Sequence, residues 1–283
     1  MKRRWLLNIG LAVLLAALAL LAWFQPGAET ARPKPTITTL APDAVTTIRL
    51  EQPNQATAVF KRTAEGWEMV QPVSAPANDQ VIKNWLASAR ETSSRAYPAK
   101  DLDLAQFGLK PPRLSLTLNN QRLDFGASDP IEHKRYIRRG DTIYLVNDVL
   151  FYQLQGDPLS FLSKRLLPRD PKIIGIKLPN VEISQNKSGE WQLTPTRPNI
   201  SSDQIQSLIE SWQHSQAFNV KAAERAPATG KVTIRLAGQQ KPITFRILKN
   251  DSLLVLARPD LGVEYQLPAN RRNDLLKLTA KKQ

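Results

Sequence analysis

The chain has no cysteine and only two histidines, His133 and His214. The first absence excludes disulfides, thiolate metal sites and lipid attachment at a processed cysteine. The second leaves little to hold a metal. The two histidines are far apart, neither belongs to a His-x-x-x-His pair, and both read as surface residues, so no metal is expected. Glycine is sparse at 12, and neither a Gly-rich phosphate cradle nor a Gly-x-Ser-x-Gly nucleophile elbow occurs. Acidic residues are in deficit, 25 against 39 Lys+Arg, for a formal net charge of +14. These gaps specify no reaction and no cofactor, so the expectation is a non-catalytic protein. A hydrolase whose site is assembled only by folding is the alternative that composition leaves open.

What is present begins with an address. Residues 1–4 carry Lys2, Arg3 and Arg4, a basic head expected to stay in the cytoplasm. Residues 5–24 are apolar apart from Asn8 and Gly10. At about 1.5 Å per residue, some 20 such residues cross the roughly 30 Å hydrocarbon layer as a helix. Trp5 and Trp23 stand at its ends, where amphipathic rings favour the headgroup zone. A secretory signal has a shorter apolar stretch, about 7–15 residues, and then a small-x-small cleavage site. Here Ala17-Leu18-Ala19 runs on into further apolar residues. The segment therefore reads as an uncleaved signal anchor of a bacterial inner-membrane protein, with the remaining chain in the periplasm. Residues 25–44 include Pro26, Pro33, Pro35 and Pro42 and read as a semi-rigid stalk. Three of the positive charges lie in the head, leaving about +11 beyond it. Outside the cytoplasm such a surface attracts anionic lipid, anionic wall polymer or an acidic protein face, and nucleic acid is not expected.

Past the stalk the pattern has period two. Ile48/Leu50, Ala58/Phe60 and Trp67/Met69 read as strands, the last after a Glu65-Gly66 turn. Asn78 then caps a helix with an apolar stripe of Val81, Ile82, Trp85, Leu86 and Ala89. The second half repeats the order: Ile174/Ile176/Leu178, Val181/Ile183, a Gly189-Glu190-Trp191 turn and strand, and a helix from Ser201 with Gln204 completing a capping box. Trp67 and Trp191 lie 124 residues apart, as do Asp79/Asp203, Gln80/Gln204 and Val81/Ile205. We read two tandem α+β repeats, residues 45–168 and 169–283, each a mainly antiparallel sheet with a helix. Strands at Leu114–Leu118, Leu123/Phe125, Tyr136 and Ile143/Leu145 continue the first. Strands at Val232–Leu236, Ile243–Ile247, Leu254/Leu256 and Val263/Tyr265 continue the second. Between residues 101 and 112 the first repeat carries an insertion, expected to be a short helix ending at Gly108 and stopped by Pro111-Pro112.

Candidate sites are few. Ser184-x-x-Lys187 has the spacing of a Ser–Lys pair but falls at a hairpin, where a desolvated lysine is not expected. Asp101 and Asp103 read as caps of the short helix. Lys134, Arg135, Arg138 and Arg139 are the strongest exposed candidate. In a strand, Arg135 and Arg139 share a face with Ile137, and Lys134 and Arg138 share the other with Tyr136. The plain meaning is an edge strand protected by charge, and the functional one a contact surface for anionic headgroups or an acidic partner. The basic tail, Arg271, Arg272, Lys277, Lys281 and Lys282, reads first as a solvated helix end and second as a membrane-facing patch. Trp67, Trp85, Trp191 and Trp212 are expected on core faces.

The succession Phe107-Gly108-Leu109-x-Pro111-Pro112, the strand Leu114–Leu118, Phe125-Gly126, Tyr136-Ile137-Arg138 and Ile143-Tyr144-Leu145-Val146 resembles the bacterial domain-of-unknown-function family 4340. The second repeat lacks the Gly-Leu-x-Pro-Pro element. The resemblance implies a membrane-anchored exported α+β protein and brings no catalytic residues. It also implies an accessory role beside an ATP-driven export or gliding-type assembly, hence an ABC-type transporter as membrane-protein partner. The expectation is thus a non-catalytic single-pass envelope protein that binds other membrane components. The alternative binding class is a module for anionic lipid or cell-wall polymer.

Overall fold

A computed structural model describes residues 2–24 and 35–278. Helix α1 spans Lys2–Phe24. Among the described residues no helix is long and apolar enough to cross a membrane. Trp5 is exposed, and the Trp23 side chain lies outside the described residues, as do stalk residues 25–34 and the tail lysines 281 and 282.

The body is α+β, with two antiparallel sheets and a few helices. The first sheet contains β1 (Thr47–Glu51), β2 (Ala58–Thr63), β3 (Gly66–Gln71), β4 (Ala75–Pro76), β5 (Arg95–Pro98), β6 (Leu114–Leu118), β7 (Gln121–Ser128), β8 (Arg135–Arg139) and β9 (Thr142–Val146). Their order across the sheet is β4-β3-β2-β1-β6-β7-β8-β9-β5. Helix α2 (Asp79–Ser88) carries the chain from one edge to the other, and α3 (Val149–Leu154) follows the last strand. The second sheet contains β10 (Ile173–Leu178), β11 (Val181–Gln185), β12 (Trp191–Thr194), β13 (Asn219–Ala222), β14 (Ala228–Leu236), β15 (Ile243–Leu248), β16 (Leu253–Arg258) and β17 (Val263–Pro268). Its order, β12-β11-β10-β14-β15-β16-β17-β13, repeats the first without a counterpart of β4. Here α4 (Ser202–His214) makes the crossing and α5 (Arg271–Leu276) closes the repeat.

Both crossing helices begin as their sequences dictate. The Asn78 side chain accepts from the amides of Gln80 and Val81. Ser201 and Gln204 form the reciprocal capping box, with the Ser201 amide donating to Gln204 Oε1 at 2.7 Å. Each helix lays an apolar stripe on its sheet: Ile82, Trp85 and Leu86 on the first, Ile205, Leu208, Ile209 and Trp212 on the second. Alternating strand residues such as Ile48, Leu50 and Phe60, or Val232, Ile234 and Phe245, complete the two cores.

Four expectations need correction. The packed body begins inside the stretch expected as stalk. Ile37 is fully buried and Thr36 bridges to Thr92, because an isoleucine placed before β1 gains more from the core than from water. The 101–112 insertion forms turns. Asp103 caps a single turn at the Ala105 amide, 3.0 Å, and Gly108, at φ +63°, ends it. Trp191 is only half-buried, since β12 is an edge strand, whereas Trp67 lies inside β4. Finally, β8 is an interior strand, bonded to β7 and β9, so its arginines are not an edge guard.

Candidate functional site

The basic stretch divides by face. Arg135 is 3% exposed. Its guanidinium donates from Nε and Nη2 to the two oxygens of Asp148, at 2.5 and 3.0 Å, and from Nη1 to the Gly126 carbonyl at 2.7 Å. The group lies 3.6 Å from the Phe151 ring centre. All three guanidinium nitrogens are engaged, so Arg135 is a core strut that ties α3 to the sheet. Arg139 donates to the Ile37 carbonyl and to the Tyr144 hydroxyl, fastening the segment before β1. Lys134 pairs with Glu132 at 2.8 Å, and Arg138 reaches the Gly140 carbonyl. Of the four predicted residues, only these two face outward on the Tyr136 side.

That side is where the family-like motif acts. Phe107 packs edge-on against Tyr136, ring centres 5.0 Å apart, and its carbonyl accepts from the Ala127 amide at 2.7 Å. A β-carbon at Gly126 would meet the Phe107 oxygen at 2.3 Å, so glycine is the residue that admits this approach. Leu109, Ala99 and Ile143 form a small apolar cluster beneath the loop. The motif is thus a clamp on the second face of the sheet. Nearby, Asp129 accepts from the Tyr136 hydroxyl at 2.7 Å and from the amides of Ile131 and Glu132. The tyrosine bond is the chief reason its carboxyl sits below the ordinary range. Burial, and then the Asp129 carboxylate, push the Tyr136 phenol up to about 12.

The other sequence candidates remain scattered. His133 and His214 are exposed, on a turn and at the end of α4. Ser184 lies in β11 and Lys187 on the exposed hairpin after it. Arg271 donates to the Ser215 hydroxyl and Arg272 to the Leu253 carbonyl, so both hold the C-terminal turn in place. No cluster of metal-ligating side chains occurs among the described residues.

Among the described residues a cleft opens between the repeats, which sequence reasoning did not identify. The connecting segment creates it. Phe161 accepts from the Asn78 amide and Ser163 donates to Pro76, while Lys164 accepts from Ala217 and Leu166 donates to Ser215. One extended strip is therefore stitched to both repeats, with Phe161 packed 4.7 Å from Trp85. Beside it opens a cleft of about 570 Å³, walled by Trp67 and the start of α2, by residues 163–169, and by the β14–β15 and β16–β17 turns. Asp79 is occupied by the Trp67 amide (2.8 Å) and by Arg169 (2.6 Å). Arg258 holds Asp260 through two bonds, 2.9 and 2.6 Å, which keeps that carboxyl below its usual range. Lys164, Arg165 and Lys241 also line the cleft, and their side chains have no acidic or hydrogen-bonding partner among the described residues. Burial raises the Tyr265 phenol. Its hydroxyl has no protein partner among the described residues, yet it is not sealed from solvent. No local sequence pattern announces this site, because its walls come from segments about 200 residues apart.

No curated protein and no solved structure matches the chain. Residues 67–224 match the family described as Domain of unknown function (DUF4340), a span that runs from β3 through the clamp and the connecting strip to the end of β13. The chain belongs to that family.

Proposed function

We propose that the protein is a single-pass bacterial inner-membrane protein, N-terminus inside, whose duplicated body holds another membrane component without catalysing a reaction. The observation that carries this reading is the surface of α1. Leu11, Val13, Leu14, Leu15, Leu18 and Leu20 are 53–64% exposed, and at 100° per residue they surround the axis rather than form a stripe. A helix apolar all round needs hydrocarbon or protein about it, and the flanking Lys2, Arg3 and Arg4 favour hydrocarbon with the head inside. The partner favoured by the family resemblance is a component of an ATP-driven, ABC-type transporter assembly, and the +11 balance suits an acidic contact face. The binding of anionic lipid or wall polymer is the competing use of the same charge.

The test is topological. A reporter active only outside the cytoplasm, fused after Gln283, is expected to be active and to stay in the membrane pellet after alkaline extraction. Neutralising Lys2, Arg3 and Arg4 should weaken that orientation. Activity of a cytoplasm-only reporter at the same position, or release of the protein on extraction, would overturn the assignment.

A further inference from the structure

We infer that the cleft between the repeats is a binding site for a small anionic, polyhydroxylated solute, a sugar phosphate or sugar acid, clasped by Lys164, Arg165 and Lys241. The charge arrangement points to the anion. Five cationic and three acidic side chains line the cleft. Two of the acids are consumed by Arg169 and Arg258, which leaves three unpartnered cations in a lining whose one remaining acid is the exposed Glu65. Concentrating like charges in one concavity is unfavourable unless an anion joins them. A phosphoryl or carboxylate group takes up several such donors through charge-assisted bonds.

The rest of the wall points to hydroxyls. The Tyr265 hydroxyl is free to donate, and the Asn78 side-chain nitrogen is uncommitted once its oxygen has capped α2. Gln216 and Gln239 add amide groups that both give and accept. The volume, about 570 Å³, lies in the range of small-molecule sites. The strip that forms the cleft is bonded to both repeats, so a ligand here touches both at once. The inference rests on these residues and is independent of the anchor and of any membrane partner.

The experiment is calorimetric titration of the full chain in mild non-ionic detergent with glucose 1-phosphate, glucuronate, inorganic phosphate and glucose. Saturable binding of glucose 1-phosphate or glucuronate is expected, and the stronger of the two identifies the anion as phosphoryl or carboxylate. The Lys164→Gln/Arg165→Gln/Lys241→Gln variant should lose about tenfold or more in affinity with an unchanged unfolding midpoint. A charge-matched control, Lys187→Gln/Lys231→Gln/Lys249→Gln, should bind as the parent does. Tyr265→Phe, which keeps the ring, should lose a few-fold. Absence of binding by both anionic sugars overturns the inference. So does equal binding of glucose, equal binding of inorganic phosphate (an adventitious ion only), or an equal loss in the control variant.

Discussion

Trp212 donates its indole N–H to the main-chain oxygen of Leu275 at 2.9 Å. Trp85 makes the same bond to Gln153 at 3.2 Å, and in both cases the acceptor is the fifth residue of the helix that closes the repeat. The crossing helix of each repeat thus latches the closing helix, with Trp85 further set edge-on to Phe60 and Phe161. Trp85→Phe and Trp212→Phe should each cost about 1–3 kcal/mol, since the carbonyl loses its donor while most of the packing survives. Alanine at either position should cost roughly 3–5 kcal/mol. Trp191→Ala, on a half-buried edge strand, should cost less than Trp67→Ala. Urea unfolding of the four alanine variants measures this ranking, and equal losses at positions 67 and 191 would contradict it.

The clamp on the first sheet depends on the missing side chain at position 126. Gly126→Ala must displace the Phe107 carbonyl or the strand beneath it, and overpacking of this kind costs roughly 1–3 kcal/mol. Gly140→Ala is the comparison. Its added carbon meets nothing within 4 Å, but the residue sits at φ +54°, so only the backbone cost of about 1 kcal/mol applies. If thermal unfolding finds Gly126→Ala no worse than Gly140→Ala, the clamp is not rigid.

Tyr136 gives a pH-dependent signature. Its phenol is raised to about 12 by burial and by the Asp129 carboxylate, against about 10 in an unfolded chain. A raised folded value means that its contribution to stability is complete below about pH 10 and is lost as pH climbs through about 12. Phenolate absorbance, compared between the parent and Tyr136→Phe, should show the missing step near 12. In Asp129→Asn that step should move down, though not fully to the ordinary value, because burial persists. Ionisation of Tyr136 at the ordinary value in the parent would refute the bond to Asp129.

The repeat was legible because in each half a glycine-containing hairpin link, at Glu65-Gly66 and at Gly189-Glu190, leads into a strand that carries a tryptophan, Trp67 or Trp191. The constant spacing fails beyond them. The N-caps Asn78 and Ser201 are 123 residues apart, and Trp85 and Trp212 are 127 apart, because Trp85 is the seventh residue of α2 and Trp212 the eleventh of α4. The 124-residue register paired Asp79 with Asp203, although each fills a different place after its cap. Period-two alternation located β8 but could not say which strands flank it, and that decides whether Arg135 faces water or Asp148. The cleft was invisible for a related reason. Lys164, Lys241 and Tyr265 have no sequence relationship, and the double stitching of residues 161–166 is what carries Lys164 to the second repeat's Lys241 and Tyr265.

That difference decides how the basic stretch can be tested as a contact surface. Replacing all four residues would unfold the first repeat. Removing Arg135 leaves Asp148, whose side chain is 17% exposed, without its bidentate partner, and breaking a buried pair costs roughly 3–5 kcal/mol. Arg139→Ser would free the segment at Ile37. Lys134→Ser/Arg138→Ser removes the two outward charges and should change stability by under about 1 kcal/mol. If those charges steer a membrane partner, this double variant should crosslink less of it in membranes, and added salt should weaken capture by the parent in the same way. Undiminished capture by the folded double variant would move the contact off this face. Loss of salt-sensitive binding to anionic vesicles, with no protein partner recovered from the parent, would assign the face to lipid instead.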